Sequence, residues 1–282
     1  MPRNIVTPSS TSDLDDRAKQ IMADHLTAPF DIDSIPFELL SSLRYDPGLY
    51  NGTLPLAEAI QQMPLDPSFF FLLPYHAKRL NKAIDYFDFN IKHFTESLLL
   101  SKISEALASQ DKESILKIRI LAQRSGQVKL DILPETRSVA YDVNCGITYD
   151  IYLDSKPMTI SPFTSFKTTH RNHYTEARVR SIPPGAENTD VLLYNAAEQV
   201  TESSVCNVAF WRDVTHPITG EVTSKWLTPP LSVGCISGVV RQSLLDSGKI
   251  FEGPISVKDL TDGEEVLLMN GILGTVKAKL IT

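Results

Sequence analysis

The sequence has few cysteines, and none of them lies at a spacing typical of a metal site. Cys145, Cys206 and Cys235 are the three thiols in 282 residues, with no CxxC pair and no histidine at ligand spacing. Neither a disulfide framework nor a metal site is therefore indicated. We expect three small buried side chains in a reducing compartment, and so a cytoplasmic protein.

Long apolar runs and clusters of basic residues are also missing. The densest apolar run, FFFLLPY, is far too short to cross a bilayer, and the opening MPRNIVTPSSTSDLDD has no stretch of signal-peptide length. Basic residues are scattered through a chain of net charge -7. We therefore expect a soluble protein with no membrane and no nucleic acid as partner, in which an anionic ligand needs a local basic pocket.

The composition and length are those of an ordinary folded protein. Hydrophobic residues make up 42% and charged residues 22% of the sequence, unlike a disordered chain. A chain of 282 residues suffices for two domains. We predict the boundary in KPMTISP, because short stretches bounded by prolines rarely continue a helix or strand. The predicted domains are a small amino-terminal domain, 1–158, and a carboxyl-terminal domain, 159–282.

Local patterns in the first half predict a strand, helices and a hairpin. FELLSSLRY indicates a strand at 37–45, and LPYHAKRLNKAIDYF and FTESLLLSKISEALAS have the apolar spacing of amphipathic helices. Residues 115–133 alternate around an SGQ turn, which predicts a hairpin with Lys117 and Arg119 on one face. A peripheral helix is expected in DLDDRAKQIMADHL, after a lead rich in Ser, Thr and Pro.

In the second half, helical and strand patterns alternate. DVLLYN, NVAFWRD and EVLLMN predict strands, and GVVRQSLLDSGK predicts a helix. Helical spacing after Lys167 places Arg171, Tyr174 and Arg178 on one side. The mixture favours the α+β class.

Two ionisable residues of the second half can together serve a cofactor. Lys167 lies in SFKTTHRNHYTEARVR, and Glu202 follows in VTESSVCNVAFW. A lysine amine can hold an aldehyde cofactor as a Schiff base, and a carboxylate can keep a pyridine nitrogen protonated. Each residue alone is more often simply solvated. Together they suggest an enzyme that uses pyridoxal 5'-phosphate.

Four segments resemble the fold-type IV pyridoxal phosphate enzymes, the class IV aminotransferase family: FKTTHRNHYTEAR, VTESSVCN, TPPLSVGCISGVVRQSLL and EVLLMNGILGTV. The resemblance covers residues 163–282 and continues upstream in FELLSSLRYDPG and HAKRLNKAIDYF. That family includes branched-chain and D-amino-acid aminotransferases and 4-amino-4-deoxychorismate lyases, and the segments are most similar to the fungal lyases. The resemblance implies a two-domain α+β fold, with a small α/β amino-terminal domain and a larger mixed β carboxyl-terminal domain, and a homodimer.

The resemblance also implies roles for individual residues. Lys167 matches the lysine that forms the Schiff base and acts as catalytic base, and Glu202 matches the acid that faces the pyridine nitrogen. Asn207 is expected to brace the turn that carries Glu202. Arg79 in HAKRLNKA matches the arginine that binds the cofactor phosphate, with a fork of donors that lysine lacks. Further phosphate contacts are expected at a helix start and a glycine loop: Gly238, Val239, Val240, Asn270 and Gly271.

For the fungal lyases the implied reaction converts 4-amino-4-deoxychorismate to 4-aminobenzoate and pyruvate in folate biosynthesis. Its small-molecule substrate carries two carboxylates, which argues for cationic side chains in an acidic protein. Lys117 is the first candidate, and Arg44, Arg119 and Arg124 are the others. Any of these four can instead be an ordinary surface charge.

Two other functions fit parts of the pattern. An aminotransferase of the same fold, of branched-chain or D-amino-acid type, would use the same Lys167, Glu202 and Arg79, so the cofactor residues alone do not separate it from a lyase. A binding or regulatory protein that has lost catalysis would be favoured by the absence of Lys167 or Glu202, and both residues are present.

Overall fold

The structure is a computed structural model that describes residues 32–215 and 218–282. Within them the chain forms two β-sheets with helices packed on each. No helix in these two ranges is long and apolar enough to cross a membrane. The helix predicted in DLDDRAKQIMADHL lies outside the described residues.

The smaller sheet has three antiparallel strands in the order β1–β2–β3. They are β1 (Leu39–Tyr45), β2 (Leu116–Ala122) and β3 (Val128–Pro134). This confirms the predicted strand and hairpin. From Leu116 to Ile120 burial alternates along β2, because successive side chains point to opposite faces. Ile118 and Ile120 are fully buried in the core, while Lys117 and Arg119 lie on the other face.

The helices of the first half pack on this sheet. They are α1 (Leu56–Ala59), α2 (Leu73–Phe87) and α3 (Glu96–Ala106). Helix α2 has the bounds that its apolar spacing predicts, and its buried face joins Leu43 and Ile118 in one core. Thr95 caps α3, because its side chain accepts a hydrogen bond from the Leu98 amide at 3.1 Å.

The larger sheet has eight strands in the order β6–β5–β4–β11–β10–β7–β8–β9. Strand β4 runs parallel to β5 and β11, β9 runs parallel to β8, and the other neighbours are antiparallel. Its core contains the fully buried Ile151, Phe210 and Val266. The strands are β4 (Ile147–Leu153), β5 (Thr189–Tyr194), β6 (Val200–Ser203), β7 (Asn207–Thr215), β8 (Val222–Thr228), β9 (Phe251–Glu252), β10 (Glu265–Asn270) and β11 (Gly274–Ile281).

Three more helices accompany the larger sheet: α4 (Pro162–Ser165), α5 (Asn172–Ser181) and α6 (Val239–Asp246). Ser161 and Thr164 form a capping box around α4, which fixes the chain just ahead of Lys167. Short 3-10 helices complete the description: Ile32–Ser34, Pro47–Leu49, Pro67–Phe69, Leu231–Val233 and Val257–Asp259.

Sheet membership changes earlier in the chain than the predicted domain boundary. Strand β4 pairs with β5 and β11, so residues 147–153 belong to the larger sheet although they precede residue 158. The change of sheet falls between Pro134 and Ile147. The division into 1–158 and 159–282 remains a prediction, whereas the α+β class with a small sheet and a larger mixed sheet is confirmed.

Candidate active site

A cavity of about 550 Å³ is bounded by residues of both sheets. From the smaller sheet come Leu40, Ser42 and the cationic face of β2. The larger sheet contributes residues of β5, β6, β7 and β10 and the turn that follows β10. Nine of the residues predicted for the site line this cavity: Arg79, Lys117, Arg119, Lys167, Glu202, Gly238, Val239, Asn270 and Gly271.

Lys167 reaches the cavity from the segment between α4 and α5. Its carbonyl accepts a hydrogen bond from the Leu40 amide at 2.9 Å, which ties the segment to β1. Burial lowers the pKa of Lys167 well below its usual value, and the positive charges of Arg171 and Arg79 lower it further. A lysine in such surroundings is a neutral amine at a lower pH than in water, and a neutral amine is a nucleophile and a base.

Arg79 on α2 is held by a chain of hydrogen bonds. Its Nη2 donates to Ser41 Oγ at 2.8 Å, and Ser41 Oγ lies 2.8 Å from His76 Nδ1. Because arginine can only donate, the Ser41 hydroxyl oxygen accepts from Arg79, while the direction of the Ser41–His76 hydrogen bond depends on which ring nitrogen of His76 carries the proton. Burial, with the charges of Arg79 and Lys167, keeps the pKa of His76 well below its usual range, so the ring is neutral.

Glu202 on β6 is buried with three donors around its carboxylate. Tyr174 donates to Oε1 at 2.5 Å, while the Ile236 amide at 3.1 Å and Asn207 Nδ2 at 3.3 Å donate to Oε2. Asn207 therefore supports the Glu202 carboxylate directly. Burial raises the pKa of Glu202 to about 7, although the hydrogen bonds from Tyr174 and Ile236 and the charge of Arg171 act in the opposite direction.

The start of α6 approaches the same residues closely. Gly238 is the N-cap of the helix, and a Cβ built there would lie 1.8 Å from Asn207 Oδ1. The first amides of a helix have no acceptor within it and can bind an anion. Val239 lines the cavity beside Gly238.

The turn after β10 closes another side of the cavity. Asn270 Oδ1 accepts hydrogen bonds from the Ile272 and Leu273 amides, both at 2.9 Å, which fixes the turn. Asn270 Nδ2 lies 3.1 Å from Cys206 Sγ. A Cβ at Gly271 would lie 3.1 Å from His76 Cε1, so the turn also packs closely on α2.

Buried donors without partners indicate what the cavity can hold. Arg171 packs on the Tyr174 ring at 4.2 Å and donates from Nη2 to the Ser204 carbonyl at 2.5 Å. Its Nη1 and Arg79 Nε are buried, and no acceptor among the described residues reaches them. Buried donors are rarely left unpaired, so they call for an anion. Together with Lys167 and Glu202, they fit pyridoxal 5'-phosphate, which brings a phosphate, an aldehyde and a pyridine nitrogen.

One wall of the cavity carries several cations. Lys117 and Arg119 lie there side by side on β2, and Arg137, for which no role was predicted, joins them. Arg137 is anchored by Glu135, to which its Nε and Nη2 donate at 2.9 and 2.7 Å. Burial, together with the nearby Arg119 and Arg137, lowers the pKa of Lys117, although Glu135 acts in the opposite direction.

Three predicted site residues are not among those that line the cavity. Arg44 is fully buried, donating to Asp46 Oδ2 from Nε at 2.8 Å and from Nη2 at 2.7 Å, and its Nη1 donates to two carbonyls. Arg124 lies in the exposed hairpin turn, with its guanidinium 5.2 Å from the Phe89 ring. Val240 is fully buried in the apolar core beneath α6.

Other residues of the site were not assigned a role from the sequence. Helical spacing placed Arg171, Tyr174 and Arg178 on one side, but it gave no indication of their partners. In the structure Arg178 pairs with the buried Asp190 at 3.0 Å.

In the described ranges, no group of three His, Cys, Asp or Glu residues could hold a metal ion.

Comparisons with known proteins agree on one family. The model of the amino-transferase class IV family matches residues 58–281. The aminodeoxychorismate lyase of Saccharomyces cerevisiae is 30% identical over 259 residues, covering 76% of this chain and 68% of the relative.

Solved structures show the same fold. A 4-amino-4-deoxychorismate lyase from Pseudomonas aeruginosa matches with a TM-score of 0.57 at 16% identity, covering 86% of this chain and 82% of that one. A branched-chain aminotransferase from Thermoproteus uzoniensis matches with a TM-score of 0.62 at 18% identity, covering 86% and 78%. At these identities the likeness extends to the fold alone.

Proposed function

Since the chain belongs to the amino-transferase class IV family, we propose that it is a pyridoxal 5'-phosphate-dependent lyase. It would convert 4-amino-4-deoxychorismate to 4-aminobenzoate and pyruvate. The observation that carries the proposal is the environment of Lys167, whose pKa is lowered in a cavity that also holds Glu202 and Arg79. The name of the Saccharomyces cerevisiae relative supports this choice of reaction.

Different residues would hold different parts of the cofactor. Arg79, the amides of Gly238 and Val239, and the turn at Asn270 would hold the phosphate, and Lys167 Nζ would bind the aldehyde carbon covalently. When bound, pyridoxal 5'-phosphate supplies an electron-withdrawing ring that stabilises negative charge on the carbon bearing the substrate amine. Glu202 would hold a proton at the pyridine nitrogen.

Lys167 has a second task, which its lowered pKa suits. Once the substrate amine has displaced Lys167 from the aldehyde carbon, the freed Nζ would take the proton from the ring carbon that carries that amine. Loss of that proton, with cleavage of the bond between the ring and the ether oxygen, leaves an aromatic ring. The three-carbon fragment departs with that oxygen as an enolate and becomes pyruvate when its methylene carbon gains a proton. Lys167 keeps its position for the transfer because the neighbouring backbone is tied to β1.

The cationic wall supports a substrate with two carboxylates. Lys117, Arg119 and Arg137 come within one cavity with Lys167. Charge-assisted hydrogen bonds to carboxylates are stronger than neutral ones, and arginine can make them in pairs. We assign the carboxylates to this wall, with Lys117 and Arg119 as the main binding residues.

An assay without any keto acid separates the lyase from the aminotransferase. Purified protein is given 4-amino-4-deoxychorismate, and pyruvate and 4-aminobenzoate are measured together. The lyase releases both in equal amounts with no amino acceptor. An aminotransferase would release pyruvate only in traces and would instead move an amino group to an added α-keto acid, and that outcome would overturn the proposal.

Lysine variants test where the cofactor is held. Lys167→Ala should lose both pyruvate release and the absorbance of a lysine-bound cofactor, together with the adduct that borohydride traps. Lys129→Ala is the matched control, because Lys129 lies on β3, pairs with Asp131 and is outside the cavity. A trapped adduct on another side chain would contradict the assignment.

Family resemblance also predicts a homodimer in the cytoplasm. A mass measured in solution at twice the 31.4 kDa of one chain would support the dimer. A mass equal to that of one chain, at the concentrations used for the activity assay, would contradict it.

A further inference from the structure

Tyr174 on α5 is directed at one oxygen of Glu202. The residue is 2% exposed, and its hydroxyl donates to Glu202 Oε1 at 2.5 Å. The Arg171 guanidinium lies 4.2 Å from the centre of the Tyr174 ring, and the centre of the His173 ring lies 4.1 Å from it. The tyrosine ring is therefore held by its neighbours, and its hydroxyl has little freedom to point elsewhere.

The two oxygens of Glu202 are supported unequally. Oε2 accepts from the Ile236 amide and from Asn207 Nδ2. Among the described residues, Tyr174 makes the one hydrogen bond to Oε1. A buried ionised carboxylate needs donors on both oxygens, because each oxygen has lost its water.

We propose that Tyr174 is a positioning residue whose hydroxyl keeps Glu202 ionised and oriented toward the pyridine nitrogen of the cofactor. The inference rests on the proposed function for the identity of the cofactor. The hydrogen bond from Tyr174 to Glu202 does not require the cofactor, so its effect on the Glu202 carboxylate can be measured in the cofactor-free protein.

The surrounding charges fit this role. Burial raises the pKa of Tyr174 well above its usual value, so its oxygen keeps the proton and remains a donor. Burial also raises the pKa of Cys235 to about 12, so this neighbouring thiol is neutral. Arg171 and Lys167 are the basic groups that face Glu202, and both favour its ionised form, as Tyr174 does.

The first measurement uses the unfolding free energy of the cofactor-free protein as a function of pH. Folding raises the pKa of Glu202 from 4.5 to about 7, so this residue makes the protein less stable as the pH rises through that window. Removing the hydroxyl in Tyr174→Phe should raise the folded pKa by a further ~1 to 2 units, the equivalent of one hydrogen bond to a charged group. The fall in stability should then continue to a correspondingly higher pH.

Tyr45→Phe is the matched control. Tyr45 is fully buried, and its hydroxyl donates to the Lys112 carbonyl at 2.7 Å, away from the cavity. This variant should lose the same amount of stability at every pH between 5 and 8.5. In a Glu202→Gln background, Tyr174→Phe should likewise show a loss that does not depend on pH.

The second measurement follows the cofactor. With pyridoxal 5'-phosphate labelled with ¹⁵N at its ring, the nitrogen signal of Tyr174→Phe should move toward that of the unprotonated pyridine, whereas Tyr45→Phe should match the wild type. If Tyr174→Phe does not fold, 3-fluorotyrosine in place of Tyr174 keeps the ring and provides a more acidic donor. That change should lower the pKa of Glu202 in the folded protein, so the fall in unfolding free energy that accompanies its ionisation (the Glu202 transition) should end at a lower pH.

The outcomes separate this inference from the proposed function. If the wild type binds no cofactor at Lys167, the proposed function fails, and the unfolding series still tests the coupling of Tyr174 to Glu202. If the cofactor binds but Tyr174→Phe behaves like Tyr45→Phe in both measurements, or fluorotyrosine leaves the transition unmoved, the inference is overturned and the function stands.

Discussion

Replacing Gly238 with alanine should break the hydrogen-bond network that supports Glu202. A Cβ at this position would lie 1.8 Å from Asn207 Oδ1 and 3.0 Å from its Cγ, whereas non-bonded carbon atoms prefer separations of about 3.5 Å or more. The backbone of Gly238, with φ -73° and ψ 143°, suits any residue. The alanine is therefore disfavoured by this contact and not by backbone strain.

The expected loss follows from the hydrogen bonds of Asn207. To accept the methyl group, its side chain must move by more than an ångström, and its Nδ2 donates to the Ile236 carbonyl at 2.8 Å and to Glu202 Oε2 at 3.3 Å. A neutral hydrogen bond contributes about 1 kcal/mol and one to a charged group about 1.5–3 kcal/mol. We expect the free energy of unfolding to fall by about 2–4 kcal/mol in Gly238→Ala.

Urea unfolding of the cofactor-free protein at pH 7.5 measures this loss. Gly146→Ala is the control, since a Cβ at Gly146 meets nothing within 4 Å. A cofactor titration of the same samples should show at least tenfold weaker binding in Gly238→Ala, equivalent to ~1.4 kcal/mol. If the unfolding free energies of the two variants agree within ~0.5 kcal/mol, the usual range of a surface change, and both bind cofactor equally, Asn207 does not support Glu202 in the way proposed.

Three further predictions test other parts of the site. Arg79→Lys removes the arginine fork and its hydrogen bond to Ser41. Cofactor titration should then show binding weakened about tenfold to a hundredfold, whereas unchanged affinity would mean that Arg79 does not bind the phosphate. Lys117→Met should raise KM for the substrate at least about tenfold, with a smaller change in kcat. In the control variant Lys129→Met, neither KM nor kcat should change. Arg44→Met leaves a buried carboxylate without its partner and should lower the unfolding free energy by about 3–5 kcal/mol with KM unchanged; a raised KM would return Arg44 to the substrate site.

Local signals predicted much of the fold. Apolar residues at helical spacing gave α2 its bounds, and alternation around SGQ gave the hairpin, because both patterns depend on residues close in sequence. Strand β4 was missed, and its pairing with β5 and β11, both of which lie far along the chain, is not visible in the local sequence. The predicted boundary after residue 158 followed prolines, which mark loops but do not show which sheet a strand joins.

The cationic residues show where prediction from sequence ends. Lys117, Arg119 and Arg44 all lie on strands of the smaller sheet, and all three were candidates for substrate binding. Two of them line the cavity, whereas Arg44 is enclosed with Asp46. Asp46 is a local partner, but the two carbonyls that complete the enclosure of Arg44 belong to residues far away in sequence, so its full burial is not evident locally.

The order of residues alone specifies the kinds of groups available, among them an amine at Lys167, a carboxylate at Glu202 and a guanidinium at Arg79, and the local elements that carry them. The charge states and directions of these groups follow only from the folded arrangement. Those depend on burial and on neighbours supplied by other elements, such as Tyr174 for Glu202 and Arg171 for Lys167. Electrostatic interactions act through space, so distance along the chain does not reveal them.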